Sequence, residues 1–260
     1  MDRVAFKLGF ISIYWYSLFI LSGVLVALFF IIKEAKRKNI KADFLIDLIF
    51  KALIFGIIGA RIYYVIFNFS YYISNPIEIF QIWHGGLAIH GALIAGLIVT
   101  YLCTKKEKID FIELLDILVV GIIIGQAIGR WGNFFNQEAY GNITTLSHLK
   151  ALHIPNFIIK NMYILGEYRQ PTFLYESLFC LLGFVIMIIV RNKFRLHRGF
   201  LLGFYLVWYG VLRFIIESMR SDSLMLGPIK MAQIVSIIFI LFGIYMIFRK
   251  EKKSRKWFYA

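Results

Sequence analysis

Residues 129–141, which read GRWGNFFNQEAYG, carry an unusual density of polar groups directly after a long apolar run. The segment contains one guanidinium, two asparagine amides, a glutamine and a carboxylate, set among glycines and aromatic side chains. Arginine offers paired donors to phosphate oxygens, and glycine lets backbone N–H groups approach a ligand closely. Polar groups at the edge of a bilayer are costly unless they bind something. The segment therefore predicts a site for an anionic lipid headgroup at a membrane surface.

The apolar run before this segment belongs to a chain with a membrane-like composition. Of its 260 residues, 60% are hydrophobic and only 17% are charged, unlike a soluble domain of this length. Because lipid cannot satisfy backbone hydrogen bonds, apolar runs of roughly 20 residues predict transmembrane helices. The sequence predicts seven of them, at residues 14–32, 44–67, 87–103, 111–128, 173–190, 200–217 and 231–248. The expected fold class is an all-α polytopic membrane protein, with residues 1–260 forming one integral membrane domain.

The net charge of +14 is distributed unevenly over this arrangement. Eighteen Lys and Arg residues fall on one side of the predicted spans, and seven fall on the other. The positive-inside rule then places the N-terminus outside and the C-terminus in the cytoplasm, and the basic face suits anionic lipid. The long loop between the fourth and fifth helices, residues 131–172, would lie outside and form a small cap. No soluble domain is predicted that would bind nucleic acid.

The predicted topology gives each polar residue in a span a depth. Most of these residues fall in the outer half of the bilayer and come from six different helices. A single one would be explained as an end residue extending to the interface, but six helices converging at one depth favour a shared cavity. A transporter would place such groups at the midplane and show two related halves, and no internal repeat is found. Chemistry at the outer leaflet is favoured; the alternatives are a non-catalytic lipid-binding or lipid-transport protein and a channel or solute transporter.

Residues 129–141 resemble the signature of bacterial prolipoprotein diacylglyceryl transferases, in the pattern G-R-x-x-N-F-x-N-x-E-x-x-G. Other segments resemble parts of that family in the same order along the chain: WY at residues 15–16, HGGLAIHG at 84–91, PTFLYE at 171–176 and RFIIESMR at 213–220. The resemblance implies a transferase of the bacterial plasma membrane with its active site toward the outer leaflet. It would move the diacylglyceryl group of phosphatidylglycerol to the lipobox cysteine thiol of a prolipoprotein signal peptide. A thioether forms and glycerol phosphate leaves, as the first step of lipoprotein maturation.

This chemistry needs a thiolate, a stabilised phosphate leaving group and alignment of two lipid-bound reactants. A free cysteine titrates near ~8.5, so a base is required. His90 is the predicted base, since it alone among the five histidines lies within a predicted span near the polar cluster. The alternative is a structural histidine that is hydrogen-bonded between helices. Arg130 and Arg213 complete the predicted catalytic set as phosphate ligands.

Several residues have two competing interpretations. Arg213 could pair with Glu217, four residues on along the same helix face, and Glu217 would then hold the arginine for the lipid. Arg61 is predicted to be structural, tied to a carboxylate such as Glu138. The amides and carboxylate of the signature either bind the headgroup glycerol or hold the loop, and Tyr16 either donates to phosphate or belongs to the interfacial aromatic belt. The predicted substrate-binding residues are Tyr16, Arg130, Asn133, Asn136, Glu138, Gly141, Arg213 and Glu217. Tyr175 and Glu176 are expected to support them.

Metal and cofactor sites are not predicted. Cys103 lies at the inner end of a predicted span and Cys180 lies in the middle of another, so the two thiols are not expected to meet. The reaction implied by the resemblance uses no metal and no soluble cofactor.

Overall fold

The computed structural model describes residues 3–9, 11–220, 225–226 and 229–249. Its helices are α1 (Trp15–Lys36), α2 (Ala42–Phe67), α3 (Phe69–Ser74), α4 (Ile89–Glu107), α5 (Phe111–Asn136), α6 (Leu146–Ala151), α7 (Asn156–Asn161), α8 (Thr172–Lys193), α9 (Phe200–Met219) and α10 (Met231–Phe248). Two short 3-10 helices, Pro76–Phe80 and Ile82–His84, connect α3 to α4.

Short strands form the remaining regular structure of the described residues. They are β1 (Val4–Leu8), β2 (Ile11–Tyr14), β3 (Ile143–Thr144), β4 (Tyr163–Ile164), β5 (Glu167–Arg169), β6 (Met225–Leu226) and β7 (Ile229–Lys230). They make three small antiparallel sheets, ordered β1-β2, β3-β5-β4 and β6-β7. The fold is therefore helical apart from these hairpins, which the sequence did not predict.

Five of the helices are long and apolar enough to cross a bilayer: α1, α5, α8, α9 and α10. This agrees with a polytopic membrane protein. The other two predicted spans correspond to α2 and α4, which are not among the five. Helix α2 contains Asp47, Lys51 and Arg61, and the Lys51 ammonium lies 2.6 Å from the Asp47 carboxylate, which lowers the cost of both charges. The count of seven spans stays a prediction.

The chain forms two compact units. The first comprises Met1–Ile31 and Leu115–Ala260, and the second comprises Ile32–Leu114. In the first unit α9 packs against α8 and α10, and in the second unit α2 packs along α4. Most of the predicted site residues belong to the first unit, whereas His90 and Arg61 belong to the second.

The stretch predicted as an outer loop, residues 131–172, is more ordered than expected. Residues 131–136 are the last turns of α5, and the following residues carry α6, α7 and the sheet β3-β5-β4. The oxygen of Thr145 caps α6 by accepting from the backbone N–H of His148. This segment has its own apolar core, built from Phe134, Leu149, Ile154, Ile158, Ile159, Met162, Ile164 and Phe173. Its role as a cap over the site stays a prediction.

Candidate functional site

Helix α5 carries the first part of the signature, residues 129–136, on its last two turns. The predicted span ended at residue 128, where the apolar run ends, but the helix continues for eight residues beyond it, although glycine and asparagine have low helix propensity. Contacts with α8 hold these turns in helical form. Trp131 Nε1 donates to Ser177 Oγ at 3.2 Å, and Ser177 Oγ donates to the Ala127 carbonyl at 2.8 Å. Tertiary packing therefore overrides local propensity and fixes the signature on a rigid element.

Two arginines and two glutamates form the centre of the site. Glu176 of α8 lies between the arginines, with one carboxylate oxygen 3.0 Å from Arg130 Nε and the other 3.5 Å from Arg213 Nη1. Arg213 Nη2 also lies 2.6 Å from Glu217, which confirms the predicted pair. That contact is an ion pair and not an aligned hydrogen bond, since the Glu217 oxygen has no hydrogen bond within the described structure. Both carboxylates are buried, so water screens them little and each negative charge is balanced by a neighbouring arginine.

The guanidinium of Arg130 is oriented on three sides. Its Nη1 donates to Asn133 Oδ1 at 3.3 Å and its Nη2 donates to the Tyr209 hydroxyl at 3.3 Å, in addition to the ion pair with Glu176. A guanidinium has five N–H donors, so the contacts within the described residues leave donors unused on Arg130 and on Arg213. About a fifth of each arginine side chain is exposed (21% and 19%).

A strained turn follows α5. Gln137 and Ala139 both have left-handed backbone conformations, with φ of 53° and 54°, which side chains other than glycine rarely adopt. The surroundings hold the turn in place. Thr172 Oγ1 donates to the Ala139 carbonyl at 2.6 Å, and Asn133 Nδ2 donates to the Glu138 carboxylate at 2.8 Å. Asn133 thus links Arg130 to Glu138, which supports the interpretation that these side chains hold the shape of the loop.

Gly141 joins the end of the signature to the end of α9. Its N–H donates to the Gln170 carbonyl at 2.9 Å, and its backbone pairs with Arg220 in an antiparallel bridge. A Cβ atom at this position would lie 2.9 Å from Gln170 Cβ, 3.0 Å from Thr172 Cγ2 and 3.2 Å from the Met219 carbonyl oxygen. Gly141 is therefore required for a close backbone approach, and it acts on the site through packing.

The two remaining residues of the first unit that were predicted to bind substrate lie around α5. The ring of Tyr16 packs directly on Gly132, where an added Cβ atom would come within 3.0 Å of the ring. Asn136 is half-buried at the last position of α5, and its side chain makes no hydrogen bond with the described residues. The structure places both beside the signature, and their contact with substrate stays a prediction.

Three site residues were missed or undervalued at the sequence level. Glu176 was expected only to support the site, yet it bridges both arginines. Tyr209 was not predicted at all, although it lies four residues before Arg213 on α9 and therefore on the same face. Lys230 was counted only as a loop charge, but its ammonium donates to the carbonyls of Glu217 and Arg220 at 2.7 and 2.8 Å. It stabilises the C-terminal end of α9, where a positive charge is favourable.

Arg61 of the second unit is structural, as predicted, but its predicted carboxylate partner was wrong. Its Nε donates to the Ile79 carbonyl at 2.9 Å, and its Nη1 donates to the carbonyls of Gly85 and Gly86 at 2.8 and 2.9 Å. Its Nη2 donates to the carbonyl of Glu78. The buried guanidinium therefore organises the backbone ahead of α4 through main-chain carbonyls.

A cavity of about 470 Å³ lies next to Arg61 in the second unit. Its lining includes Tyr64, Tyr72 and the pair Tyr71–Glu78, in which the Tyr71 hydroxyl donates to the carboxylate at 2.8 Å. That hydrogen bond raises the pKa of Tyr71 above its ordinary value. The Arg61 guanidinium lies 5.2 Å from the centre of the Tyr72 ring, which is a cation–π contact. The lining of the cavity is therefore polar and aromatic.

His90 is the second residue of α4 and lies within the span predicted at residues 87–103. It is half-buried, and its ring centre lies 5.9 Å from that of Tyr63 on α2. Its role as the base stays a prediction. Across the residues that the structure describes, no group of three or more His, Cys, Asp and Glu side chains could hold a metal ion.

Apolar helices of membrane-spanning length, with an arginine pair oriented by buried carboxylates at one end, define a polytopic membrane protein with a buried cluster of paired charges. The comparison with known proteins is more specific. A family model described as prolipoprotein diacylglyceryl transferase matches residues 3–249. The chain belongs to this family, which confirms the resemblance noted from the signature.

Curated bacterial relatives match over nearly the full length. A protein of Staphylococcus xylosus named phosphatidylglycerol–prolipoprotein diacylglyceryl transferase is 51% identical over 254 residues, covering 97% of this chain and 91% of the relative. Proteins with the same name are 49% identical in Streptococcus agalactiae serotype Ia, over 100% of both chains, and 47% identical in Lactococcus lactis subsp. cremoris, over 98% and 97%.

Proposed function

We propose that this protein transfers the diacylglyceryl group of phosphatidylglycerol to the lipobox cysteine of prolipoproteins in a bacterial plasma membrane. The observation that carries the proposal is the pair Arg130 and Arg213, oriented by Glu176 and still offering unused N–H donors. Such a pair suits a phosphate that becomes a leaving group, since bidentate guanidinium donors match its oxygens. Family membership and the names of the relatives point to the same reaction.

The proposed step is a nucleophilic displacement at the glyceryl carbon that bears the phosphate ester. A sulfur–carbon bond forms and the carbon–oxygen bond to phosphate breaks, so the electron pair of that bond leaves with glycerol phosphate. His90 takes the proton of the thiol, and the thiolate is the species that attacks. Arg130 and Arg213 stabilise the charge that gathers on the phosphate oxygens as the bond breaks.

The four central side chains carry two positive and two negative charges, so the cluster has no net charge to attract an anion. The phosphate is therefore bound through the oriented N–H donors of the arginines. A preoriented guanidinium loses little entropy on binding and needs no rearrangement when charge develops on the leaving group. This is the arrangement that a transferase needs and that a passive lipid-binding surface does not.

The test of this function uses purified protein, phosphatidylglycerol vesicles and a lipobox peptide, with the peptide followed by mass spectrometry. We expect a mass increase of one diacylglyceryl group on the cysteine and none on a matched peptide with serine in its place. Phosphatidylcholine serves as the lipid control. Lipid binding without any modified peptide would favour the alternative of a non-catalytic lipid-binding protein.

The proposed arrangement in the membrane has seven spans, with α2 and α4 added to the five apolar helices, and the signature outside. The excess of basic residues at the opposite ends of the spans supports it. Asn142 and Lys106 are both exposed and give a direct test. In a variant without Cys103 and Cys180, a cysteine at Asn142 should react with an impermeant thiol reagent in intact cells and one at Lys106 should not. The opposite labelling would overturn the orientation.

A further inference from the structure

A second pair of polar side chains lies one helical turn away from the arginine site. On α5, Gln126 precedes Arg130 by four residues, and on α9, Tyr205 precedes Tyr209 by four residues. Each α5 side chain bonds to the facing tyrosine: Gln126 Nε2 donates to the Tyr205 hydroxyl at 2.9 Å, and Arg130 Nη2 to the Tyr209 hydroxyl at 3.3 Å. The two tyrosine rings are parallel within 5°, with centres 5.8 Å apart. The four side chains thus form a ladder with two rungs.

The rung made by Gln126 and Tyr205 is incompletely satisfied. Gln126 Oε1 is buried without a hydrogen bond to any of the described residues. With the Gln126 amide as placed, the Tyr205 hydroxyl hydrogen and one amide hydrogen are unused within the described contacts. If the amide nitrogen and oxygen exchange places, the Tyr205 hydroxyl donates to the amide oxygen and both amide hydrogens are unused. In both orientations donors remain unused within the described contacts, and a buried donor without an acceptor is unfavourable. In the turned-over amide the oxygen accepts from Tyr205 and only donors are left, so a ligand that only accepts hydrogen bonds satisfies this orientation.

The spacing of the rungs matches the covalent layout of a phospholipid. Four residues of helix advance about 6 Å, so the Gln126 rung lies that far from the arginine rung, away from the signature end of both helices. In a glycerophospholipid the ester carbonyls lie a few covalent bonds beyond the phosphate, toward the acyl chains. An ester carbonyl oxygen is an acceptor without a donor of its own. It is therefore complementary to the donors on this rung when the phosphate is held by the arginines.

We propose that Gln126 and Tyr205 bind an ester carbonyl of the diacylglyceryl group and so set the depth at which the lipid lies against the arginines. This inference rests on the proposed function, because it assigns a contact of the same substrate. It makes ester-linked chains a recognised feature of the lipid, in addition to the phosphate. It also gives a function to a tyrosine and a glutamine that bond to each other between two apolar helices.

The experiment compares two lipids that differ only at this contact: phosphatidylglycerol with ester-linked chains, and its analogue with ether-linked chains, which has no carbonyls. Transfer to the lipobox peptide is measured as kcat/KM with each lipid. For the wild type we expect the ester lipid to be used about 3- to 10-fold better, the effect of one or two neutral hydrogen bonds. The variants Tyr205→Phe and Gln126→Leu should bring this ratio close to one by lowering the rate with the ester lipid alone.

Two further proteins complete the design. The double variant Gln126→Leu with Tyr205→Phe removes both partners together, which leaves no unpaired group and preserves folding. It should show the same loss of selectivity as the single variants. Tyr245→Phe is the matched control, because Tyr245 lies on α10, is 61% exposed and belongs to no part of the site. It should keep the wild-type ratio.

Three results would overturn the inference: a wild-type ratio of one, an unchanged ratio in the double variant, or an equal fall with both lipids, which would mark the rung as purely structural. A wild type that modifies no peptide with the ester lipid would instead overturn the proposed function. The two failures are therefore distinguishable in a single set of measurements.

Discussion

Glu176→Gln is the perturbation that tests the arginine cluster most directly. Glu176 is 3% exposed and provides one carboxylate oxygen to each arginine. Glutamine keeps the size of the side chain but removes its charge, which leaves Arg130 without a carboxylate contact in the described structure. Glu217 then remains as the partner of Arg213. We expect a less stable protein whose site has a net positive charge.

The magnitude follows from the two contacts. The 3.0 Å ion pair with Arg130 is worth about 1.5–3 kcal/mol as a charge-assisted contact, and the 3.5 Å contact with Arg213 adds less because it lies at the limit of a hydrogen bond. Since about a fifth of each arginine side chain is exposed, we place the total loss at roughly 2–4 kcal/mol. For a chain of this size, that corresponds to a fall in Tm of roughly 5–15 °C.

The assay is thermal unfolding in a neutral detergent, with Glu167→Gln as the matched control. Glu167 also lies beside an arginine, at 3.1 Å from Arg169, but its side chain is 46% exposed, so water screens the pair. That substitution should change the free energy of unfolding by no more than about 1 kcal/mol. Added phosphatidylglycerol should restore part of the Tm lost in Glu176→Gln, because it carries a net negative charge, and phosphatidylcholine should restore less, because its choline ammonium balances its phosphate.

Two results would refute this reasoning. One is a Glu176→Gln protein that melts with the Glu167→Gln control. The other is an equal recovery with both lipids, which would show that the cluster does not select an anion.

The other predictions concern the transfer reaction and the packing of the signature. Arg130→Lys should lower kcat/KM with phosphatidylglycerol by roughly 10- to 100-fold in a protein that still folds, since an ammonium lacks the planar fork; near-normal activity would exclude the role. His90→Asn should lower transfer by about 10²- to 10⁴-fold, and the loss should shrink as pH rises past the thiol pKa of ~8.5, where thiolate forms unaided; a pH-independent loss would indicate a structural histidine. Gly141→Ala should cost about 1–3 kcal/mol in unfolding free energy because its Cβ atom would lie 2.9 Å from Gln170 Cβ. Gly96→Ala, where a Cβ atom meets nothing within 4 Å, should instead be neutral or slightly stabilising; equal Tm changes for the two glycines would contradict the packing explanation.

The helices were the most predictable part of this fold, because an uninterrupted apolar run has few other structures available in lipid. The last predicted span, residues 231–248, has the same bounds as Met231–Phe248. The first was predicted to end at residue 32, but α1 continues to Lys36, since lysines in its last turn are favourable at the C-terminal end of a helix. The strands at residues 4–14 were not predicted, because short hairpins depend on pairing and have weak local preferences.

The site was predictable where its contacts are local. Arg213 and Glu217 are four residues apart on one helix, so their pairing follows from helix geometry. Glu176 reaches Arg130 and Arg213 across separations of 46 and 37 residues, which only the packing of α5, α8 and α9 decides. The partners of Arg61 could not be predicted for another reason. They are main-chain carbonyls. Every residue carries the same carbonyl group whatever its side chain, so the residue types do not indicate which carbonyls Arg61 will bind.

The four carbonyls held by Arg61 have a consequence for local unfolding. The acceptors, at Glu78, Ile79, Gly85 and Gly86, span both 3-10 helices, and all of them depend on a single guanidinium. Releasing any one of them leaves a donor of a buried charge unpaired, which favours releasing the others as well. This part of the chain should therefore exchange its amide hydrogens as one cooperative block, with an opening free energy set by one side chain. The backbone just ahead of His90 then has either all of its hydrogen bonds to Arg61 or none of them. Any motion of the segment that leads into α4 is therefore a two-state event.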